Sequence, residues 1–86
     1  KTRTQKPTEA MKRPVSLSLT EALPIKDALF ELSRQSGVDL QLDPKIESKL
    51  TLSAKDRPFI EVIGHLCELA GLRYRILGNA VRIEID

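Results

Sequence analysis

The sequence predicts an α+β domain with the element order β-α-β-β-α-β-β. Two observations support this prediction: an internal repeat of 34 residues, and a change within each repeat from helical spacing of apolar residues to strict alternation. The repeat is carried by matched residues 34 positions apart: Pro24/Pro58, Ala28/Val62, Leu32/Leu66, Gly37/Gly71 and Leu42/Ile76. Because the second half of each unit alternates, the unit is a helix followed by a strand rather than a pair of helices.

Each predicted helix lies between a proline and a glycine. Proline is favoured in the first turn, where its missing N–H costs nothing, and glycine ends a helix by adopting the left-handed conformation. The first helix is therefore expected between Pro24 and Gly37, and the second between Pro58 and Gly71. Each helix carries one apolar stripe, formed by Ile25, Ala28, Leu29 and Leu32 in the first and by Phe59, Val62, Ile63, Leu66 and Ala70 in the second.

Five strands are predicted from the alternation of apolar and polar residues. Their apolar positions are Val15/Leu17/Leu19, Val38/Leu40/Leu42, Leu50/Leu52/Ala54, Leu72/Tyr74/Ile76 and Val81/Ile83/Ile85. Gly78-Asn79 is a two-residue hairpin signal between the last two strands. The register that follows places Ile76 opposite Val81, Tyr74 opposite Ile83, Arg73 opposite Glu84 and Arg75 opposite Arg82.

Charge divides the 86 residues into two unlike parts. The first fourteen residues carry a net charge of +4, contain two prolines and show no apolar periodicity, so residues 1–14 are expected to be a disordered basic leader or linker. Residues 15–86 carry a net charge of −2 and are expected to form the domain. A basic leader of this kind either contacts nucleic acid or anionic lipid, or serves solubility alone.

Composition also excludes two kinds of structure. Cys67 is the only cysteine, so an intrachain disulfide is impossible. The longest stretch without a charged residue runs for seven residues, from Pro14 to Thr20, which is far too short to cross a membrane. We therefore expect neither a disulfide framework nor a membrane span in this chain.

No constellation of catalytic residues is present in the sequence. His65, the only histidine, lies on the polar face of the second helix near Glu61 and Glu68, where a solvated side chain is the simplest interpretation. His65 and Cys67 are two residues apart on a helix, so the imidazole cannot activate the thiol. We expect no enzyme activity, no cofactor and no metal site. Nucleic-acid binding is not expected either, because Tyr74 is the only aromatic residue of the strands and is directed into the core.

The first strand carries Ser16, Ser18 and Thr20 on its outer side and no charged residue, although edge strands are normally protected by lysine, proline or a bulge. An unprotected strand can accept a strand of a partner, so these three residues are candidate partner-binding residues. Alternatively, the first strand pairs with the third, whose Thr51 and Ser53 also face outward. In that case the Ser/Thr ladder is structural and only one of the two strands is an edge.

Arg75 and Arg82 are the remaining candidate partner-binding residues. Their predicted positions opposite each other disfavour the hairpin, because like charges repel across a strand pair. Either the carboxylate of a partner or solvent then compensates this pair. We interpret the two arginines as an acid-seeking pair.

The segments VSLSLTEALPIKDALFELSRQSGVDLQLDPKI and LTLSAKDRPFIEVIGHLCELAGLRYRILGNAVRIEI combine three specific features. These are the two proline-to-glycine helices, the Asp43-Pro44 stop after the second strand, and the closing hairpin around Gly78-Asn79. In this combination the chain resembles the short N-terminal domain shared by bacterial secretins and by signal-transducing TonB-dependent receptors. The resemblance covers Val15 to Ile85.

The resemblance implies two helices packed between small mixed β-sheets, in a periplasmic domain of a bacterial outer-membrane-associated protein that binds protein without catalysis. It implies first the entrance module of an outer-membrane secretin channel, in type II secretion or a type IV pilus system. Such a module docks an inner-membrane component and belongs to a ring homo-oligomer. The alternatives are the signalling domain of a TonB-dependent receptor, which binds an anti-sigma regulator, and a secretion-associated envelope lipoprotein of the same fold.

Overall fold

The computed structural model describes residues 8–85. These residues form five strands and two helices in the predicted order, preceded by a short 3-10 helix. The elements are the 3-10 helix (Ala10–Lys12), β1 (Pro14–Pro24), α1 (Ile25–Ser36), β2 (Asp39–Leu42), β3 (Lys49–Pro58), α2 (Phe59–Ala70), β4 (Leu72–Leu77) and β5 (Ala80–Ile85). The predicted α+β class is therefore confirmed.

Both helices begin and end as the sequence predicts. Pro24 and Pro58 directly precede α1 and α2, and Gly37 and Gly71 follow them in the left-handed conformation, with φ of 77° and 69°. The Gly37 N–H donates to the Ser33 carbonyl at 2.8 Å, which closes the last turn of α1. Among residues 8–85, neither helix has the length and apolar composition that crossing a lipid bilayer requires.

The strands form two separate small sheets. β1 and β3 pair antiparallel, and β5 lies between β2, which runs parallel to it, and β4, which runs antiparallel. The two helices pack between the sheets, with α1 against β1 and β2 and α2 against β3 and β4. The three-stranded sheet is mixed, so the arrangement that the resemblance implies is confirmed.

The hairpin register is confirmed at all four predicted pairs, including Arg75 opposite Arg82. The pairing of β1 with β3 is also found, with Ser18 opposite Ser53. The expectation that only one of these two strands would be an edge is wrong, because a two-stranded sheet leaves one side of each strand unpaired. The Ser/Thr residues of β1 and β3 accordingly form the solvent face of this sheet.

One apolar core fills the space between the sheets. Leu32 of α1 and Phe59 and Leu66 of α2 are fully buried in it. The strands add side chains from both sheets, including Val15, Leu17, Leu52, Ile76, Val81 and Ile83. The core is therefore built largely from the apolar positions that the alternation and the helical stripes predict.

The residues just before β1 are folded against this core. Met11, in the 3-10 helix, has an exposed fraction of 0%, and the Arg13 carbonyl accepts a hydrogen bond from the Phe59 N–H at 2.9 Å. Residues 8–14 therefore belong to the domain and not to a disordered linker, because one buried methionine anchors a segment that is otherwise polar. The expectation for residues 1–7 lies outside the described residues.

Candidate docking surfaces

The unpaired side of β1 is closed at Ser16 by a side chain of α1. The Ser16 N–H donates to Gln35 Oε1 at 2.9 Å, and Gln35 Nε2 donates to the Ser16 carbonyl at 2.7 Å. Because backbone groups alternate between the two sides of a strand, the N–H and C=O of Ser18 lie on this same side. The Gln35 amide thus takes the place of a neighbouring strand at Ser16, and no other strand of residues 8–85 pairs with this edge from Ser18 onward.

A network on the exposed face of α1 holds this amide in place. Gln35 Nε2 also donates to Glu31 Oε2 at 2.9 Å, and Arg34 Nη2 contacts the same oxygen at 2.6 Å. Hydrogen bonds from Gln35 and then Arg34 keep the pKa of Glu31 below its usual range. Glu31 therefore remains an anionic acceptor that fixes the position of Gln35.

The three predicted residues of β1 differ in their surroundings. Ser16 Oγ accepts a hydrogen bond from the Asp56 N–H at 3.1 Å. Asp56 lies in β3 and has a positive φ of 51°. Ser16 therefore supports the irregular backbone of β3 as well as binding Gln35. Ser18 and Thr20 are exposed, and the register shift of β1 begins after Leu19. Of these three residues, Ser18 alone lies in regularly paired backbone on a side of β1 that no strand or side-chain amide of residues 8–85 covers.

A second open edge, on β2, was not predicted as a site. Asp39 N–H donates to the Asn79 carbonyl and Asp43 N–H to the Ile83 carbonyl, both toward β5. By alternation, the N–H and C=O groups of Leu40 and Leu42 face the unpaired side of β2. Among residues 8–85 no strand pairs with this side of β2, so these residues offer two donors and two acceptors to an added strand.

An apolar groove runs between this edge and α1. Phe30 is 72% exposed, although it is one of only two phenylalanines in the chain. It lines the groove together with Lys26, Leu29, Ser33, Asp39, Leu40, Leu42, Pro44 and Ile46. We call this surface, the β2 edge with the groove beside it, the α1–β2 surface.

The sequence did contain a signal for the α1–β2 surface. Phe30 is four residues from both Lys26 and Arg34, so it falls in the polar stripe of α1 and not among the core positions. An aromatic side chain within a polar stripe is a reason to look for a partner, because exposed aromatic residues are enriched at interfaces. Phe30 was not among the predicted partner-binding residues.

The arginines on the outer face of the three-stranded sheet converge on one carboxylate. Glu84 Oε2 lies 2.8 Å from Arg75 Nη2 and 3.0 Å from Arg82 Nε, while Glu84 Oε1 lies 3.6 Å from Arg73 Nε. Hydrogen bonds from Arg82 and Arg75 keep the pKa of Glu84 below its usual range. The acid group that compensates the Arg75–Arg82 pair is therefore supplied by the chain itself. We call these four residues the arginine cluster.

His65 and Cys67 lie in different environments on α2. His65 is exposed and Cys67 is buried, and burial raises the pKa of the Cys67 thiol to about 11. The thiol is therefore protonated at neutral pH and acts as a small apolar side chain. Within residues 8–85, no group of three or more His, Cys, Asp or Glu side chains is placed to hold a metal ion.

Comparison with known proteins shows that the fold of this chain occurs in a solved structure. No protein-family profile matches the chain, and no curated protein matches it at a significant level. The chain is similar to a crystal structure described as a "putative anti-sigma factor" from Parabacteroides distasonis, with a TM-score of 0.75 and 18% sequence identity. The match covers 83% of this chain and 34% of the Parabacteroides chain, so this chain spans about a third of that chain's length.

Proposed function

We propose that this chain is a non-catalytic protein-interaction domain that binds an extended segment of a partner protein at the α1–β2 surface. One observation carries the proposal: a strand edge that is unpaired among residues 8–85 and an exposed aromatic side chain border the same apolar groove. Main-chain hydrogen bonds to Leu40 and Leu42 would supply affinity, and the groove would select apolar side chains at alternate positions of the partner.

A charge at one end of the groove specifies the partner further. Lys26 lies in the first turn of α1 and lines the groove. Asp39 alternates with the inward-facing Leu40, so its carboxylate belongs to the outer face of the sheet and does not charge the groove. The complementary segment carries apolar residues at alternate positions and an acidic residue at the Lys26 end.

As the first candidate setting, we infer a periplasmic module at the entrance of an outer-membrane secretin channel. The partner would be an inner-membrane component of a secretion or pilus machine, and copies of the domain would form a ring in the full-length protein. Support comes from the sequence resemblance over Val15–Ile85 and from the matching order of elements. This module would act by recognition alone, without catalysis or a cofactor.

A second candidate setting is cell-surface signalling, in which the domain would contact a regulator of a sigma factor. The observation that favours it is the fold shared with the Parabacteroides structure, whose description names an anti-sigma factor. The coding sequence beside this segment distinguishes the settings. Further small αβ modules followed by a pore region would support a secretin, and a plug with a transporter domain would support a signalling receptor.

Photocrosslinking in the native host tests the docking proposal. A photoreactive amino acid at Phe30 should capture a periplasmic segment of an inner-membrane protein, whereas the same group at His65, on the exposed face of α2, should not. Capture of a sigma-factor regulator at Phe30 would support the second setting. Equal capture at both positions, or none at Phe30, would contradict the proposal.

A proline variant distinguishes docking at the β1 edge from docking at the β2 edge. The Ser18 N–H lies on the unpaired side of β1, so Ser18→Pro removes an edge donor without removing a bond between β1 and β3. If the partner binds at β2, this variant should bind it as well as the wild type does. Loss of binding would move the docking site to β1.

A further inference from the structure

We infer that the arginine cluster is a second docking site, for an acidic extended segment of a partner protein. It lies on the outer face of the three-stranded sheet, whereas the side chains of Leu40 and Leu42 pack on the inner face. The site is therefore separate from the α1–β2 surface.

The charges of the cluster are unbalanced. Within residues 8–85, three guanidinium groups surround the carboxylate of Glu84, which gives these four side chains a net charge of +2. Each guanidinium has five N–H donors, yet one hydrogen bond from Arg75 and one from Arg82 reach Glu84. Arg73 is mostly exposed and lies beyond hydrogen-bond distance of this carboxylate. Most donors of the cluster are thus directed toward solvent or toward a ligand.

The cluster also contains unsatisfied atoms. Arg75 Nε and Glu84 Oε1 are enclosed, and neither has a hydrogen-bond partner among residues 8–85. In addition, Arg75 and Arg82 stand directly opposite each other, where like charges are unfavourable. A second carboxylate would offset the like charges of Arg75 and Arg82 and accept from their guanidinium N–H groups, because a guanidinium can bind a carboxylate through two parallel hydrogen bonds. Glu84 Oε1 is an acceptor, so a donor such as Arg73 would have to satisfy it.

The strand geometry sets the spacing of the ligand. Arg73 and Arg75 are two residues apart on β4, so they lie on the same face about 6.8 Å apart along the strand. β4 is the outer strand of its sheet among the described residues, which leaves space for a segment beside it. An extended segment with acidic residues at alternate positions matches this spacing.

The surroundings favour an acidic protein segment over a nucleic acid. The neighbouring outward positions of the sheet are Asp39, Gln41, Ala80 and Leu77, which provide no aromatic ring for base stacking. Residues 15–86 also carry a net charge of −2, which opposes the binding of a long phosphate chain. A short acidic segment experiences the local positive charge with little of this repulsion.

Glu84 has a specific role in this site. Its carboxylate occupies Arg75 and Arg82 in the free domain, so it competes with the carboxylate of the partner. Removing its charge should therefore strengthen binding. A purely structural ion cluster would show the opposite behaviour, since loss of Glu84 would only disorder the arginines.

Fluorescence anisotropy with a short labelled peptide of alternating glutamate and threonine tests the proposal, with a glutamine-threonine peptide as the ligand control. The wild-type domain should bind the glutamate peptide selectively, and more weakly as salt rises. Arg73→Gln should weaken binding by about three-fold, as expected for one exposed ion pair. Glu84→Gln should strengthen it by a similar factor.

Two variants complete the experiment. Arg34→Gln, which removes an exposed arginine from α1, should leave peptide binding unchanged. Phe30→Ala should also leave it unchanged while weakening the affinity of the domain for the partner segment identified by crosslinking, so that the two proposals fail independently. Equal binding of both peptides, equal effects of Arg73→Gln and Arg34→Gln, or tighter binding of an oligothymidylate would overturn the inference.

Discussion

Replacing each of the two phenylalanines by alanine and measuring the free energy of unfolding distinguishes the core from the docking surface. Phe59 is fully buried, whereas Phe30 is 72% exposed. With about 200 Å² available on a phenylalanine side chain, the covered quarter of Phe30 amounts to ~55 Å², or about 1.4 kcal/mol at ~25 cal/mol per Å². Alanine recovers about 0.5 kcal/mol through its better helix propensity. Phe30→Ala should therefore lower the free energy of unfolding by about 1 kcal/mol.

Phe59→Ala should cost about 3–5 kcal/mol, because it removes a fully enclosed ring from the core. A domain of this size has a total stability of about 4–13 kcal/mol, so this variant should lose much of its resistance to urea. Urea unfolding followed by far-ultraviolet circular dichroism measures both variants. A loss of about 3 kcal/mol or more for Phe30→Ala would refute the reasoning, because it would show that Phe30 belongs to the core.

Three further predictions concern other parts of the fold. Gly64→Ala should raise the free energy of unfolding by about 0.5–1 kcal/mol in urea, because glycine is a poor helix former. The added Cβ would meet Tyr74 at an ordinary contact distance of 3.9 Å. Gln35→Ala should cost about 1 kcal/mol and increase self-association in size-exclusion chromatography, because it uncovers the β1 edge at Ser16. The lowered pKa of Glu84 means that its stabilising effect is present above the ordinary value of 4.5 and is lost as pH falls through the folded-state pKa. The stability difference between wild type and Glu84→Gln should therefore shrink in acid, and a difference that grew would contradict this account.

The features that the sequence predicts correctly depend on local chemistry. A two-residue loop fixes the hairpin register, so all four predicted pairs follow once Gly78-Asn79 is identified. Proline and glycine likewise mark the ends of both helices through conformational preferences of their own. These features depend little on distant parts of the chain.

The features that the sequence does not reveal depend on contacts between distant residues. Gln35 closes the edge at Ser16 although 19 residues separate them, and no pattern of residue types predicts that bond. Met11 is buried because its 3-10 helix packs against α2, while the composition of its segment indicates disorder. The sequence predicts correctly that Arg75 lies opposite Arg82. It does not predict that the Glu84 carboxylate reaches both arginines, Arg75 diagonally across the two strands and Arg82 along β5, because side-chain conformation determines these contacts.

Amide hydrogen exchange by NMR tests the central claim most directly. The domain is compared alone and with the partner segment captured by the crosslinker at Phe30. Strand addition at β2 should slow the exchange of the Leu40 and Leu42 amides, which face the unpaired side, and leave the Ser18 amide unchanged. Protection at Ser18 with none at Leu40 and Leu42 would contradict docking at the α1–β2 surface.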